Sequence, residues 1–274
     1  MQQTDKKRLH IMVLTDFSLY GDAAVSHAAA MAMIFRAELI IVPLQNKEIK
    51  PYRTAFLNAL QVLKQQQLPV VQYPNTLNIK KDLYAFAEEQ EVMMLILSAS
   101  SKGESFFSYG SALRIVKKMR IPVLVVGKTL PRQDACQKII LTLDYLIYAK
   151  EKSLWAAYFN RFYQSEIYIL SKQYKDEYLR YKLYENITYT KRLYENLSVK
   201  YQLHSVEASV GNLDLYARLF AKQIGAGLIV SMTTNYLDVG DILGGTTEKK
   251  TIKHVDEIPY LYINQRDDLY ILCT

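Results

Sequence analysis

One arrangement of residues occurs twice in this chain of 274 residues, and it constrains the fold more than any other feature. An apolar segment ends at Asp16, and a second apolar segment ends at Asp144, 128 positions later. In both copies the next apolar segment starts 21 residues after the aspartate, at Ala37 and at Ser165. An identical spacing in two copies indicates an internal repeat of one supersecondary unit.

The repeat continues to the last apolar segment of each copy. Ala87 corresponds to Ala221, and the segment that begins at Ile121 corresponds to the one that begins at Ile258. Between the apolar segments, apolar residues recur at helical spacing. Nearly continuous apolar segments are typical of strands buried on both faces, and their alternation with helices predicts a parallel sheet.

The predicted fold class is therefore α/β, with two tandem Rossmann-like units of five parallel strands each. A short polar linker that contains Pro131 and Asp134 separates the copies. We accordingly predict one unit over residues 1–130 and a second, with a degenerate loop, over residues 137–274.

Composition argues against several classes of protein. Half of the residues are apolar and 22% are charged, which is typical of a globular chain. No apolar segment reaches the roughly 18 residues of a membrane span, and the N-terminus is polar, so we expect a cytoplasmic protein without membrane contact. The two cysteines and four histidines show no ligand spacing, so we predict no metal site. The net charge of +7 is dispersed along the chain, and nucleic-acid binding is therefore not expected.

The segment after the fourth apolar strand is the strongest candidate for a binding site. It is rich in serine and glycine and ends in Gly110 and Ser111, at the start of a predicted helix. A strand, a small-residue loop and a helix N-terminus together present backbone N–H groups to a phosphate. The corresponding loop of the second copy, residues 231–246, keeps only Gly245 and Thr246 and gains two aspartates, so we predict no phosphate site there.

Taken together, these features resemble the universal stress proteins in their tandem form, over essentially the whole chain. The residues that carry the resemblance are Thr15–Ser18, Ala37–Glu38, Gly110–Ser111 and Ile121–Val126. The resemblance implies a fold like that of the adenine nucleotide alpha hydrolases, with the two units joined as an intramolecular pseudo-dimer. In dimers of that family the last strands pair, which implies self-association through Val123–Val126 and Tyr260–Ile263.

The same resemblance implies an adenine nucleotide, ATP or AMP, in the first unit. In ATP-binding members the loop is similar to G-x2-G-x9-G-S/T, and the aspartate after the first strand lies near the adenosine. The implied nucleotide-binding residues are Thr15, Asp16, Val42, Pro43, Ser98, Ser101, Lys102, Gly103, Gly110, Ser111 and Ala112. The chain departs from the pattern at Ser98 and near Ser101, where glycine is expected and where a Cβ restricts the backbone.

Two functions stay open. The motifs of P-loop NTPases, dinucleotide dehydrogenases and serine hydrolases are missing, so we predict no enzyme and no catalytic residue. The first hypothesis is a non-enzymatic stress-response or signalling protein that binds an adenine nucleotide in its first unit. The alternative is a protein-interaction module that has lost nucleotide binding in both units and that binds an unknown protein partner.

Tyrosines are concentrated in the second copy, where 17 of the 22 follow residue 144. Tyr174, Tyr178 and Tyr181 have helical spacing. We interpret this stripe as a packing face, although tyrosine is also suited to a partly exposed interface.

Overall fold

The computed structural model of the chain describes residues 9–44, 53–65, 67–72, 79, 81–101, 104–146, 149–207, 212–233 and 247–264. Strands and helices alternate along these ranges, as the repeat predicts. Within them there is no helix that combines the length and the apolar character of a membrane span.

Ten strands form one sheet, and each half of the chain contributes five of them. They are β1 (His10–Thr15), β2 (Glu38–Pro43), β3 (Val70–Gln72), β4 (Val92–Ser98), β5 (Val123–Val126), β6 (Lys138–Leu143), β7 (Glu166–Lys172), β8 (Tyr201–Val206), β9 (Leu228–Met232) and β10 (Tyr260–Ile263). Their order across the sheet is β3-β2-β1-β4-β5-β10-β9-β6-β7-β8. Neighbouring strands are parallel except β5 and β10, which are antiparallel. The predicted fold class, two five-stranded parallel units in an intramolecular pseudo-dimer, is confirmed.

Helices cover both faces of this sheet. In the described residues they are α1 (Leu19–Phe35), α2 (Arg53–Gln65), α3 (Leu83–Glu89), α4 (Tyr109–Lys118), α5 (Ala149–Tyr163), α6 (Glu177–Asn196), α7 (Leu213–Ile224) and α8 (Thr247–Thr251), with a 3-10 turn at Ile252–His254. Helices α1, α2, α5 and α6 pack in the core on one face, and α3, α4, α7 and the 3-10 turn pack in the core on the other.

The apolar strands serve both cores at once. In β1, Ile11 and Val13 point into one core, whereas Met12 and Leu14 point into the other. Each of these side chains is at most 1% exposed. Full burial of one such side chain favours folding by about 1.5–3 kcal/mol, which explains why the strand sequences are apolar throughout and do not alternate.

The two halves meet where β5 pairs with β10. Leu124 lies opposite Leu261, and both are at most 1% exposed. Tyr260 and Tyr262 stack beside this ladder with their ring centroids 5.6 Å apart. Since each of the two strands also has a parallel neighbour on its other side, the ladder lies in the interior of the sheet. The strands predicted for self-association, Val123–Val126 and Tyr260–Ile263, thus pair within one chain, where both edges of each are occupied. The exact boundaries of the two units remain a prediction.

The segment that follows β5 also contacts the second half, at Asp256. Lys128 N donates to Asp256 Oδ1 at 2.8 Å, and Thr129 Oγ1 donates to Asp256 O at 2.9 Å. A Cβ on Gly127 would lie 2.1 Å from Asp256 Oδ1 and 2.5 Å from Asp256 Cα. Glycine is therefore required where the chain leaves β5 and crosses the second half.

Candidate functional site

The candidate site of the first half lies where the order of the strands reverses. β1 has β2 on one side and β4 on the other, although β4 comes much later in the chain. Doubly wound sheets bind ligands in the crevice at the carboxyl ends of such strands. Asp16 follows β1, and the described part of the serine-rich loop, residues 99–101 and 104–108, follows β4, so the fold brings both to this crevice.

Asp16 connects the two sides of the crevice. Its Oδ2 accepts a hydrogen bond from Phe106 N at 2.9 Å, which ties the loop to the end of β1. Its Oδ1 accepts from Ser18 N at 3.1 Å and from Ser18 Oγ at 2.6 Å. Both carboxylate oxygens are therefore occupied by donors of the protein itself, in hydrogen bonds strengthened by the negative charge.

The local sequence sets the orientation of Asp16. Phe17 has φ of 54°, in the left-handed region, and its N–H donates to Thr15 Oγ1 at 3.1 Å. Ser18 caps α1 by accepting from Gly21 N at 3.2 Å. A Cβ on Gly21 would lie 2.5 Å from Asp16 Oδ1, so this glycine lets the helix approach the carboxylate.

The hydroxyl groups of the loop are bonded within the loop. Ser100 Oγ lies 2.7 Å from Ser101 O and 2.9 Å from Ser105 Oγ. Ser105 Oγ donates to Phe107 O at 2.7 Å, and Ser101 Oγ donates to the carboxylate of Glu104. The hydroxyl groups of Ser100, Ser101 and Ser105 therefore hold the loop in shape.

The N-terminus of α4 is capped by Ser108. Its Oγ accepts from Ser111 N at 3.3 Å, and Ser111 Oγ donates to Ser108 O at 3.0 Å. Gly110 is exposed, and a Cβ added there would have no neighbour within 4 Å. Space for a ligand is thus present beside the first turn of α4, although the amide and hydroxyl of Ser111 already have partners.

Carboxyl groups surround this crevice. Tyr20 OH lies 3.4 Å from Glu104 Oε2 and 3.5 Å from Asp256 Oδ2, and burial, together with these carboxylates, raises the pKa of Tyr20 to about 12. Burial and the charge of Asp16 raise the pKa of Asp22 to about 7. Negative charge at this density opposes the approach of an uncompensated phosphate. The described residues contain no cluster of His, Cys, Asp or Glu side chains that could hold a metal ion.

The structure describes most of the predicted nucleotide-binding residues. Those described are Thr15, Asp16, Val42, Pro43, Ser98, Ser101, Gly110, Ser111 and Ala112. Lys102 and Gly103 lie outside the described residues. Val42, Ser98 and Ala112 are at most 4% exposed, so their side chains belong to the core at the base of the crevice. Whether any of these residues contacts a nucleotide stays a prediction.

In the second half, a buried lysine occupies the corresponding crevice. Lys152 is 1% exposed, and its Nζ lies 3.3 Å from Asp144 Oδ2. Asp214 Oδ1 accepts from Thr142 Oγ1 and from Ser231 Oγ, both at 2.9 Å. Desolvation raises the pKa of Asp214, and the positive charge of Lys152 opposes that rise. The polar groups at this end of the sheet therefore satisfy one another.

Asp144 thus has a structural role. Asn186 of α6, which is 3% exposed, donates to Asp144 O at 2.9 Å and to Leu146 O at 2.8 Å. These bonds anchor α6 to the turn after β6. The echo of the phosphate loop at Gly245 and Thr246 lies outside the described residues.

Solved structures share this architecture over almost the whole chain. A universal stress protein from Archaeoglobus fulgidus matches with a TM-score of 0.68 at 11% identity, over 94% of this chain and 98% of its own. The fold is that of the universal stress proteins. A candidate universal stress protein from Pseudomonas aeruginosa matches with a TM-score of 0.65 at 17% identity, over 97% of this chain and 96% of its own. A functionally unknown protein from the same species has a TM-score of 0.64 at 15% identity, over 97% and 95% of the two chains.

At the level of sequence, no protein-family model and no curated protein matches the chain. The likeness to the universal stress proteins is therefore one of fold. It confirms the resemblance that the order of the motifs predicted, in the tandem arrangement of two units.

Within the universal stress protein fold, helix α6 presents the tyrosines of its first half to solvent. Tyr178 is 66% exposed and Tyr181 is 57% exposed, whereas Tyr174 precedes the helix. The predicted packing face is therefore wrong for Tyr178 and Tyr181, whereas Tyr174 packs edge to face on Tyr145 with ring centroids 5.1 Å apart. The core contacts of α6 come from another stripe, whose members are spaced three or four residues apart: Leu183, Asn186, Thr190 and Tyr194.

Sequence reasoning missed several residues that shape the two crevices. Lys152 shares a helical stripe with Ala149 and Ala156, both 0% exposed, and a lysine between such neighbours signals a buried charge. Gly21, directly after the capping turn, signals a close approach of helix and loop. The contact of Tyr20 with the second half had no signal in the sequence, because its partner is more than 200 residues away.

Proposed function

We propose that the chain is a non-enzymatic universal stress protein that acts by binding a partner protein through α6. The observation that carries this proposal is the outward face of that helix. Tyr178, Tyr181 and Tyr184 are 66%, 57% and 66% exposed, on the side opposite the core-facing residues Leu183 and Tyr194. Three tyrosines with this exposure on one helix offer a large, rigid apolar area with hydroxyl groups at its edge.

The charges beside these tyrosines indicate an acidic partner. A groove of about 500 Å³ is lined by Tyr181, Tyr184, Lys150 and Arg192, among others. Lys150 Nζ lies 5.3 Å from the centre of the Tyr189 ring, in a cation–π contact. The acid of this groove, Glu185, is paired with Lys182 at 2.8 Å. The remaining positive charge favours an acidic segment over a basic one.

The test is quantitative co-purification from the native cell. Replacement of Tyr178, Tyr181 and Tyr184 by alanine should lower the recovery of a specific partner at least tenfold. Leu57→Ala with Leu219→Ala removes exposed apolar side chains elsewhere, 49% and 56% exposed, and should leave recovery unchanged. Equal recovery from all three proteins would reject α6 as the interface.

A second candidate function is the binding of ATP or AMP in the first-half crevice. The observation that favours it is Gly110, whose backbone faces open space at the N-terminus of α4. Against it stand the internally bonded serines and the carboxyl groups around Asp16. An adenine nucleotide would therefore need a bound cation to screen its phosphates from those groups.

Calorimetric titration with ATP and with AMP, each with and without Mg²⁺, tests this second function. If the phosphates approach the backbone at residue 110, Gly110→Ala should weaken binding by about tenfold. The fold should tolerate this change, because a Cβ at that position meets no neighbour within 4 Å. Absence of heat from the native protein at millimolar nucleotide would exclude the crevice as a nucleotide site.

A further inference from the structure

An apolar groove runs along α5, and it shares no lining residue with the groove beside the exposed tyrosines of α6. Its volume is about 560 Å³, within the range of roughly 300–1,000 Å³ that small-molecule sites occupy. Its lining extends from Met93 at the start of β4 to Val199 before β8, and five other strands lie between these two in the sheet. The groove is therefore lined by residues of both halves.

Aromatic residues form the wall of this groove, and packing against α1 holds them in place. Trp155 and Tyr158 contact edge to face with their centroids 5.8 Å apart. Tyr158 in turn stacks on Phe35 of α1, with centroids 5.2 Å apart and planes 10° from parallel. The wall is thus preorganised by the core of the first half, which lowers the conformational cost of binding.

The rest of the lining leaves apolar surface in water. Leu154 is 47% exposed and Leu197 is 54% exposed, and both line the groove. Covering such surface with an apolar ligand favours binding, because it removes apolar area from water. An apolar groove of this volume accommodates a hydrocarbon chain.

Polar atoms enter the groove on the last turns of α5. Asn160 and Arg161 line it side by side. Asn160 Nδ2 is occupied by Ser165 O at 2.5 Å, whereas the Arg161 guanidinium lies 5.9 Å from the ring centre of Phe162. Across the described part of the chain, no carboxylate forms an ion pair with Arg161.

We propose that this groove binds a fatty acid. The acyl chain lies over Leu154, Trp155 and Leu197, and the carboxylate pairs with Arg161. Because the described part of the chain supplies Arg161 with no carboxylate partner, its charge beside the apolar groove matches an anion with a single charged end. It matches a second copy of this chain poorly, because two chains of net charge +7 repel each other.

The chain carries its own reporter for this site, because Trp155 is its single tryptophan. Titration of the full chain with dodecanoate, below the concentration at which it forms micelles, should change the tryptophan fluorescence in a saturable way. Arg161→Gln should weaken dodecanoate binding about tenfold and leave the binding of dodecanol unchanged. Arg180→Gln, an exposed arginine of α6, is the matched control and should bind dodecanoate like the native protein.

Three results would overturn the proposal. The first is a fluorescence that dodecanoate does not change. The second is an equal loss of dodecanoate and dodecanol affinity in Arg161→Gln, which would show that Arg161 does not pair with the carboxylate. The third is a dimer in light scattering that Leu197→Asp converts to a monomer and that dodecanoate does not affect, which would assign the groove to a second copy.

Discussion

Asp22 lies in the first turns of α1 with 2% of its surface exposed, and neither carboxylate oxygen has a hydrogen-bond partner among the described residues. Burial and the nearby charge of Asp16 raise its pKa to about 7. Between the unfolded value of roughly 4 and the raised value, the unfolded chain releases this proton more readily than the folded one. The free energy of unfolding therefore falls from about pH 4 to pH 7, because Asp22 ionises in the unfolded chain while the folded chain keeps the proton.

Asp22→Asn should remove this effect, because an amide is close in shape to the protonated carboxyl group and carries no charge. We expect the variant to be more stable than the native protein by roughly 2 kcal/mol at pH 8 and equally stable near pH 4. Urea denaturation of both proteins at the two pH values measures the difference. A gain of the same size at both pH values would show that the charge of Asp22 is not its cause.

The aspartates at corresponding positions of the two halves have different partners. Asp16 is held by donors of the loop and of the capping turn, and Asp144 is held by the buried ammonium group of Lys152. Removal of the carboxylate that pairs with a buried cation would lower the free energy of unfolding by about 3–5 kcal/mol. This cost explains why Asp144 and Lys152 remain paired in the second crevice.

At the scale of the element, α6 divides into a core face and a solvent face. Tyr194 is 0% exposed, and its hydroxyl donates to Ser153 O at 3.1 Å. We expect Tyr194→Ala to lower the free energy of unfolding by roughly 3 kcal/mol, since it leaves a cavity. Tyr184 is 66% exposed on the solvent face, so Tyr184→Ala should change the free energy of unfolding by less than about 0.5 kcal/mol. Thermal and urea denaturation measure both, and a large loss in Tyr184→Ala would place that face in a contact within the chain.

At the scale of the whole molecule, the β5–β10 ladder joins two units into one sheet. A fragment of residues 1–130 would leave β5 as an apolar edge with unpaired backbone groups. Because β5 and β10 pair antiparallel about a pseudo-two-fold axis, we expect two copies of this fragment to pair their β5 strands and form a dimer.

Light scattering of the fragment should give twice the monomer mass. A second fragment with Leu124→Lys, in the middle of the ladder, should stay monomeric at the same concentration. A folded native fragment that is monomeric at micromolar concentration would contradict both the proposed unit boundary and self-association through β5.

Much of the architecture could be predicted because it depends on local patterns. The apolar strands, the common 21-residue spacing after Asp16 and Asp144, and the order of the closing segments predicted ten strands in two units. A strand that is buried on both faces has a continuous apolar sequence, which can be recognised without the structure. The tyrosine stripe was misjudged because helical spacing alone does not say which side of a helix faces the core.

The sequence by itself determined the repeat, the fold class and the place of the serine-rich loop after the fourth strand. Only the tertiary structure decided what that loop does with its polar groups. Asp16 binds Phe106, 90 residues away, and Lys152 fills the second crevice, and these contacts depend on which strands become neighbours across the switch point. Periodicity records burial, whereas the hydrogen-bond partners of a polar group depend on distances in space that the chain order does not contain.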